Sequence, residues 1–287
     1  MWIVTPEHAG MRLSAFLQLQ LGSSYTIRQI KQMVEHSLCD INGAVERFSS
    51  TPVRVGDHIG LIIEEVSQTP IRFDATRTIY EDEELYIYNK PPGITVDGQN
   101  GLATLISKEH VPVELVHRID RDTSGLILFA KTPAARKYLE AQFRERIPSK
   151  IYLALVHGAP APSQGVIQNY LGVIQEYHGQ KLYGSMERHK GKLSETAWKT
   201  LKSGNQIALI ECRPKTGRTH QIRVHMLELG HPILGDTHYA RKRLHPDVRR
   251  CLLHARELTV LHPMSGEPIT FQADLPADFS QIMDEMR

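Results

Sequence analysis

The sequence predicts a globular protein that combines helices and strands in more than one domain. Its 287 residues can bury a sizeable core and exceed the usual length of a single domain. Apolar residues recur with helical spacing near the N-terminus, whereas residues 85–88 alternate in the manner of a strand. A polar stretch ends at Pro70, so we expect a small domain at 1–66, a linker at 67–75 and a larger domain at 76–287.

Composition excludes several classes of protein. Charged residues make up 23% and hydrophobic residues 41% of the chain, as in ordinary soluble proteins. No apolar run approaches the ~18 residues that cross a bilayer, and the N-terminus has no basic segment followed by an apolar one, as a signal peptide would. The three cysteines are widely spaced, which predicts reduced, buried thiols in a cytoplasmic protein. The net charge of +2 does not by itself indicate a nucleic-acid partner.

The first 66 residues predict two helices followed by a hairpin. Apolar residues at 12–17 and 25–36 have helical spacing. Asn42-Gly43 is a strong turn sequence, and a second turn leads into a strand that ends near Ile63. Five Lys/Arg face seven Asp/Glu in this segment, so a purely structural module is the alternative to an RNA-binding one.

Charge is concentrated just before an apolar run. Three cationic residues and two carboxylates lie within residues 117–122, and a strand is predicted at 126–130. Ser124-Gly125 is a turn sequence, so Asp120 is expected on a short connection between strands, where catalytic groups are commonly presented. A surface turn with compensating charges is the alternative.

The next elements are a helix and a strand. Thr132-Pro133 predicts a helix start with Thr as N-cap, and Pro148 ends that helix. Residues 150–156 predict a strand on which Tyr152 shares a face with Ala154. From the pattern alone, Tyr152 is a core residue with its hydroxyl paired, or a residue that contacts a ligand.

Residues 213–225 predict an anion site. Thr219 is expected to cap a helix that runs to Leu229 and stops at Gly230. Four Lys/Arg and no acid occupy the preceding loop and first turn, and a helix N-terminus itself favours anions. A further basic cluster at 241–250 is expected to contribute to an RNA-facing surface.

Taken in order, these motifs resemble those of the RluA-like family of RNA pseudouridine synthases. The matching segments are 89–93 (Asn-Lys-Pro-Pro-Gly), 117–126 (His-Arg-Ile-Asp-Arg-Asp-Thr-Ser-Gly-Leu), 150–152 (Lys-Ile-Tyr), 216–223 (Thr-Gly-Arg-Thr-His-Gln-Ile-Arg) and 252–255 (Leu-Leu-His-Ala). The only departure in the longest motif is Ile119 in place of Leu. The first 66 residues resemble the S4 RNA-binding domain. The resemblance implies an α+β catalytic domain with a large, mixed, mostly antiparallel sheet.

The resemblance also implies a role for each of five residues. Asp120 matches the catalytic aspartate, and Arg223 matches the arginine that pairs with it and is expected to hold it ionised. Tyr152 and Leu253 match the residues that pack against the target uracil. Arg118 is expected to fill the space that the uridine leaves when it is flipped out of the RNA. Whether Asp120 attacks C1′ or removes the 2′ proton stays open.

The reaction implied is a redox-neutral isomerisation, so no cofactor and no metal are expected. Large-subunit ribosomal RNA is the expected partner, tRNA is the alternative, and the protein is expected to be a monomer. A non-catalytic RNA-binding or ribosome-assembly protein is the competing hypothesis, and a metal-dependent nuclease is a second. His and Asp residues do cluster between 220 and 238, but not with the spacing of His-Glu-x-x-His. Neither a Gly-x-Ser-x-Gly motif nor a Walker loop is present.

Overall fold

The computed structural model describes residues 1–35, 38–63, 72–177, 180–240, 245 and 248–286. The chain divides into two units. The first comprises Met1–Thr69 with the short segments Tyr177–Gln180 and Thr237–Pro246, and the second comprises the remainder. Most of the predicted linker at 67–75, and residues 241–243 of the predicted basic cluster, lie outside the described residues. The predicted domain boundaries therefore stay a prediction.

The first unit contains the two helices and the hairpin expected from its sequence. Its elements are β1 (Trp2–Ile3), α1 (Leu13–Leu21), α2 (Ile27–Glu35), β2 (Cys39–Ile41), β3 (Ala44–Glu46) and β4 (His58–Leu61). The strands form one sheet in the order β1-β4-β2-β3. Apolar side chains of α1 and α2, among them Phe16 and Ile30, are fully buried in its core. Asn42 and Gly43 both have positive φ, as a tight hairpin turn requires. That this unit is an S4-like domain remains a prediction.

The second unit is built on one large sheet. Its strands are β5 (Thr78–Glu81), β6 (Leu85–Lys90), β7 (Glu114–Leu115), β8 (Ser124–Ala130), β9 (Ser149–His157), β10 (Gln164–Tyr177), β11 (Gln180–Ser185), β12 (Lys192–Gly204), β13 (Ile207–Pro214), β14 (Leu253–Leu261) and β15 (Pro268–Gln272). The helices are α3 (Leu102–Glu109), α4 (Pro133–Glu145), α5 (Gln221–Glu228), α6 (Thr237–Ala240), which falls in the first unit, and α7 (Ala277–Asp284).

The sheet is mixed but almost entirely antiparallel. Its strand order is β11-β10-β12-β13-β9-β14-β8-β6-β5, with β15 paired to β14 and β7 paired to β8. Among the pairings whose register falls in the described residues, β8 with β14 is the parallel one. The predicted α+β class and the large, mostly antiparallel mixed sheet are therefore confirmed.

Both faces of the central strands are buried, because successive side chains point to opposite sides. Along β6, Leu85 and Ile87 pack with Leu139 of α4, while Tyr86 and Tyr88 pack with Leu102 of α3. The neighbouring half of the sheet repeats the arrangement: one face packs against α5 and the other against α7. Tyr152 contacts both the α4 cluster and the α5 cluster. It therefore lies where the parts of the sheet that pack against α4 and α5 meet.

The start of α4 was predicted correctly, whereas the turn predicted at 124–125 is wrong. The helix α4 begins at Pro133, and the Thr132 hydroxyl accepts the N–H of Ala135 as its cap. Ser124 and Gly125, predicted to form a turn, are instead the first residues of β8. Gly125 has φ +105°, and a side-chain carbon there would come within 2.3 Å of the Ala255 carbonyl oxygen. This glycine therefore serves a close approach between two strands, which a local pattern does not distinguish from a turn.

All three cysteines are free and buried, as the sequence predicted. Within the part of the chain that the structure describes, no helix is long and apolar enough to span a membrane.

Candidate active site

Asp120 lies in the loop that connects β7 to β8, and a buried lysine holds this loop in place. Lys90, at the end of β6, is fully buried, and its ammonium donates to the carbonyl oxygens of Pro91, Ile94 and Arg121 over 3.0, 2.9 and 2.7 Å. Burial lowers the pKa of Lys90 to about 7. One side chain thus ties the loop after β6 to the loop that carries Asp120.

Arg223 of α5 joins Asp120 to a second, deeply buried carboxylate. Its Nε and Nη2 donate to the two oxygens of Asp236, both over 2.8 Å, and its Nη1 lies 3.4 Å from Asp120 Oδ2. The Asp236 side chain is 1% exposed and the Asp120 side chain 25% exposed. The bidentate pair fixes the guanidinium plane, so Arg223 presents its remaining edge to Asp120.

His220 is a second neighbour of the same Asp120 oxygen. Its Nε2 lies 4.0 Å from Asp120 Oδ2, and its ring meets that of Tyr183 edge-to-face at 5.6 Å. Burial and the adjacent Arg223 lower the pKa of His220 to about 4, so the imidazole is neutral at pH 7. Asp120 is thus flanked by one permanent cation and one neutral ring.

The helix α5 begins one residue later than predicted. Thr219 is not its cap; His220 takes the N-cap position in the left-handed conformation, with φ 56°. The Gln221 side chain accepts from the Thr216 hydroxyl over 2.7 Å and from the Arg218 N–H over 3.0 Å. Its amide also donates to Glu195 O over 3.0 Å. These bonds fold residues 216–221 into a fixed loop before the helix starts. The predicted stop at Gly230, which has φ +85°, is present.

Tyr152 and Leu253 form an apolar wall beside Asp120. They lie on the adjacent strands β9 and β14, and Leu253 is 4% exposed. Burial and the charge of Asp120 raise the pKa of the Tyr152 phenol, which therefore stays protonated. The wall is flat and apolar and is close to a carboxylate, which suits a planar ring.

These side chains line one open cavity of about 860 Å³. All of its lining residues belong to the second unit. Nine Lys/Arg side chains and three carboxylates contribute to the lining. The cations are Arg118, Arg121, Arg136, Arg144, Arg146, Lys150, Lys215, Arg218 and Arg223, and the carboxylates are Asp97, Asp120 and Glu140. The excess of cations favours a polyanion as ligand.

The five residues predicted from the sequence all border this cavity. Asp120, Tyr152, Arg223 and Leu253 come together at one end of it. Arg118 is farther out: its side chain is 61% exposed, and its Nη1 donates to Asp97 Oδ2 over 2.9 Å. This exposed pair is weak in water, so Arg118 is free to exchange partners.

The residues considered as metal ligands do not converge. His225 is fully buried and bonds to Asn169, Ser194 and Thr196, and His231 bonds to the carbonyl of His157. Across the described ranges, no group of three or more His, Cys, Asp or Glu side chains could hold a metal ion.

The basic residue Arg250 was expected to face RNA, and the structure corrects this. Its side chain is 12% exposed, forms two bonds to Asp278 and donates to the carbonyl oxygen of Asp122 over 3.2 Å. It is therefore a brace for the loop of Asp120. A short basic run does not reveal whether its members point inwards.

Sequence reasoning also missed residues that complete the site. Lys90 falls in the Asn-Lys-Pro-Pro-Gly segment at 89–93, but this motif does not indicate that its side chain is buried. Asp236 follows Arg223 by 13 residues with no periodic relation to it. A lysine is rarely buried without dedicated partners, and the partners of Lys90 and Asp236 are set by tertiary structure.

Comparison with known proteins places this site in a family. The profile of the RNA pseudouridylate synthases matches residues 84–228. The dual-specificity RNA pseudouridine synthase RluA of Escherichia coli (strain K12) is 39% identical over 208 residues, which cover 70% of this chain and 93% of that protein. The ribosomal large subunit pseudouridine synthase C of Buchnera aphidicola is 39% identical over 221 residues, covering 72% of this chain and 70% of that one.

Solved structures agree. Human RNA pseudouridylate synthase domain containing 4 superimposes with a TM-score of 0.61 at 27% identity, covering 74% of this chain and 93% of its own. Human RNA pseudouridylate synthase domain containing 1 gives a TM-score of 0.59 over 75% of this chain and 97% of its own. At 23% identity, the second likeness concerns the fold alone.

Proposed function

Because the chain belongs to the RluA-like family of RNA pseudouridine synthases, as its motifs predicted, we propose that it uses Asp120 to isomerise uridine in large-subunit ribosomal RNA. The observation that carries the proposal is the position of Asp120: a carboxylate beside Arg223, at the foot of an apolar wall and inside a basic cavity. The relatives named above are enzymes, which favours catalysis over a non-catalytic RNA-binding role.

The reaction breaks the N1–C1′ bond, turns the detached uracil and joins C5 to C1′. A proton leaves C5 and N1 gains one, so atoms and charge balance without a co-substrate. Asp120 stands where it can attack C1′ or remove the 2′ proton, and the proposal is compatible with both. Arg223 contacts Asp120 and is anchored by Asp236, which supports a role in holding the Asp120 carboxylate towards the bound ribose.

The apolar wall would hold the uracil while it is detached. Tyr152 and Leu253 offer neighbouring apolar surfaces for a planar ring, and the Tyr152 phenol, protonated as described, is a hydrogen-bond donor. A uridine in folded RNA must first leave its stack. Arg118 lies at the exposed side of the cavity, where it can release Asp97 and fill the vacated place in the RNA.

The remaining chain fits this activity. We propose that residues 1–66 form an S4-like RNA-binding domain, joined by a linker at 67–75 to the catalytic domain at 76–287. The helices α1 and α2, followed by the β2–β3 hairpin, support this assignment. The enzyme is proposed to act as a monomer in the cytoplasm, a compartment that keeps its three thiols reduced.

The test is pseudouridine mapping by carbodiimide-blocked primer extension. Total RNA is compared from cells with the gene, without it, and complemented with the wild type, Asp120→Asn or Glu140→Gln. We expect one or a few stops in large-subunit ribosomal RNA to vanish without the gene. The wild type and Glu140→Gln should restore them, and Asp120→Asn should not. Glu140 is the matched control because it lines the same cavity but pairs with the exposed Arg136.

Each alternative has its own result. Restoration by Asp120→Asn would remove the catalytic role of that residue. A stop lost from tRNA instead would change the substrate class. No change in any stop, with the protein still sedimenting with ribosomal particles, would favour the non-catalytic hypothesis.

A further inference from the structure

Three cations share one part of the cavity wall without a carboxylate of their own. They are Arg146, Lys150 and Arg218, and in the described part of the chain none of them forms an ion pair. The carboxylates of the cavity are all engaged by other cations: Asp97 by Arg118, Asp120 by Arg223 and Glu140 by Arg136. Glu195, a carboxylate whose pKa is lowered by its hydrogen bond from Lys215 and in part by the charge of Arg146, forms its ion pair with Lys215.

The cations are close enough to repel one another. Burial and the charge of Arg218 lower the pKa of the Lys150 ammonium to about 8. Burial and the charge of Arg146 lower the pKa of Arg218 in turn. Partly buried like charges raise the free energy of the folded state unless an anion joins them. Arg218 is also fixed in place, since its Nε donates to Leu193 O over 3.0 Å.

Arg146 has a backbone conformation that is uncommon for an arginine. Arg146 occupies the left-handed C-cap position after α4, with φ 63° and ψ 33°, where glycine is the usual residue. This conformation costs a non-glycine residue about 1 kcal/mol or more. The arginine side chain at this position is the part of residue 146 that reaches the cavity wall.

Gly217 lies close to the Lys150 ammonium. A side-chain carbon at Gly217 would make an ordinary contact with Lys150 Nζ, at 3.9 Å, so the loop before α5 adjoins this lysine. The N–H groups of Gly217 and Thr219 have no acceptor within the described residues. Two backbone donors and three cations therefore border one open space.

The position of this space relative to the apolar wall identifies its ligand. Lys150 and Tyr152 are alternate residues of β9, so their side chains leave the same face of the strand, about 7 Å apart. This separation corresponds to the reach from a base to the phosphate of the same or the adjoining nucleotide.

We propose that Arg146, Lys150 and Arg218 bind a single phosphodiester group of the RNA strand, immediately next to the uridine held by Tyr152 and Leu253. Recognition of one uridine as the target rests on the proposed function. The phosphate site would fix the sugar between two points, the base against the wall and the phosphate against the cations. The ribose is then held over Asp120 without any base-specific contact.

The first experiment measures binding of a fluorescent uridine decamer by anisotropy over a series of KCl concentrations. For single strands, each lost phosphate contact reduces the slope of log K against log salt by about 0.7. Because three cations share this phosphate, we expect a reduction of up to that size in Lys150→Gln and in Arg218→Gln. The double variant should lose less affinity than the product of the single losses, because both residues act on one phosphate. Lys137→Gln is the control, since Lys137 is exposed and does not line the cavity.

A stability measurement guards against misfolding. Removal of one of three mutually repelling charges should leave the thermal midpoint of Lys150→Gln equal to that of the wild type or higher. An unchanged salt slope in a folded Lys150→Gln variant would overturn the proposal. An equal reduction in Lys137→Gln would overturn it as well, since binding would then reflect the overall charge.

The second experiment tests the distance to the base. Uridine 3′,5′-bisphosphate and uridine compete with the labelled decamer. Charge-assisted bonds to one phosphate should make the bisphosphate roughly tenfold or more the better competitor in the wild type. Lys150→Gln should lose this preference. A wild type without the preference would show that no phosphate adjoining the uridine is bound.

Neither binding assay depends on turnover. A wild type that passes both assays but forms no pseudouridine would refute the proposed function and leave the phosphate site standing. A wild type that forms pseudouridine, with variants of unchanged salt slope, would do the reverse.

Discussion

Asp236 controls the orientation of Arg223, and its replacement by Asn tests how the site is held. The Asp236 side chain is 1% exposed and accepts two guanidinium bonds of 2.8 Å. In Asp236→Asn one oxygen becomes an NH₂ group, which cannot accept from Arg223 and leaves its buried charge partly unpaired. Loss of one partner of a buried ion pair costs about 3 kcal/mol or more. At about 2–4 °C per kcal/mol, the thermal midpoint should fall by about 6–12 °C.

Catalysis should suffer separately from stability. A guanidinium released from its two-point anchor no longer holds Asp120 in place, and a displacement of about 1 Å lowers turnover by about 100-fold. The KM should change little, because Asp236 does not line the cavity. The assays are circular-dichroism melting and single-turnover kinetics on a ribosomal RNA fragment that contains the mapped uridine.

Asp274→Asn is the control. Asp274 also pairs with an arginine, Arg256, over 3.6 Å, but its side chain is fully exposed. An ion pair this open to solvent is worth about 1 kcal/mol or less, so we expect a small shift of the midpoint and full turnover. An Asp236→Asn protein that melts and turns over as the wild type does would refute the reasoning. A lower midpoint with normal turnover would limit Asp236 to a structural role.

Three further substitutions address the support of the site. Gly125→Ala would place a carbon 2.3 Å from the Ala255 carbonyl oxygen, so we expect a loss of about 3 kcal/mol or more in chemical denaturation; a loss under 1 kcal/mol would contradict the packing. Lys90→Met removes three hydrogen bonds to loop carbonyl oxygens, so the free energy of unfolding should fall by about 2 kcal/mol. Turnover should fall as well, because the loop that carries Asp120 loses its support. Full turnover would show that the loop keeps its conformation without Lys90. Burial lowers the pKa of His225 to about 4, so between pH 6.5 and 4 the unfolded chain binds a proton that the folded protein does not. The free energy of unfolding should therefore decrease by about 1.4 kcal/mol for each unit by which the pH is lowered in this range. His225→Gln should reduce this acid dependence in urea titrations, and an unchanged slope would exclude a neutral His225.

Elements whose causes are local were predictable. Thr132 and Pro133 specify the start of α4 by capping and by fixed φ, and the structure begins the helix there. The alternation at 85–88 predicts a strand because it follows from the pleat, whatever lies on either side. Asp120, Tyr152, Arg223 and Leu253 were predicted as a group, through their motifs, and they do converge.

Features that depend on distant partners were not predictable. Gly125 has the composition of a turn, but its partner is a strand far along the chain. Thr219 is a residue type that often caps helices, but the Gln221 side chain accepts from the Thr216 hydroxyl and the Arg218 N–H and so shapes the loop before α5. The helix then begins at Gln221, with His220 at the N-cap. Arg250 belongs to a basic run, yet it is turned inwards by Asp278. In each case a tertiary contact outweighs a sound local preference.

The parallel pairing of β8 with β14 sets the order in which the protein can become competent during its synthesis. The Ser124 hydroxyl meets His254 Nδ1 at 3.0 Å across 130 residues of sequence, and Arg250 reaches back to the carbonyl of Asp122. A ribosome that adds 5–20 residues per second needs about 7–26 s to make that intervening chain. Throughout this interval the loop of Asp120 lacks the strand against which it is shaped. The nascent protein therefore carries Asp120 long before the strand that shapes its loop has been made, and we expect a chain cut short before residue 250 to be inert.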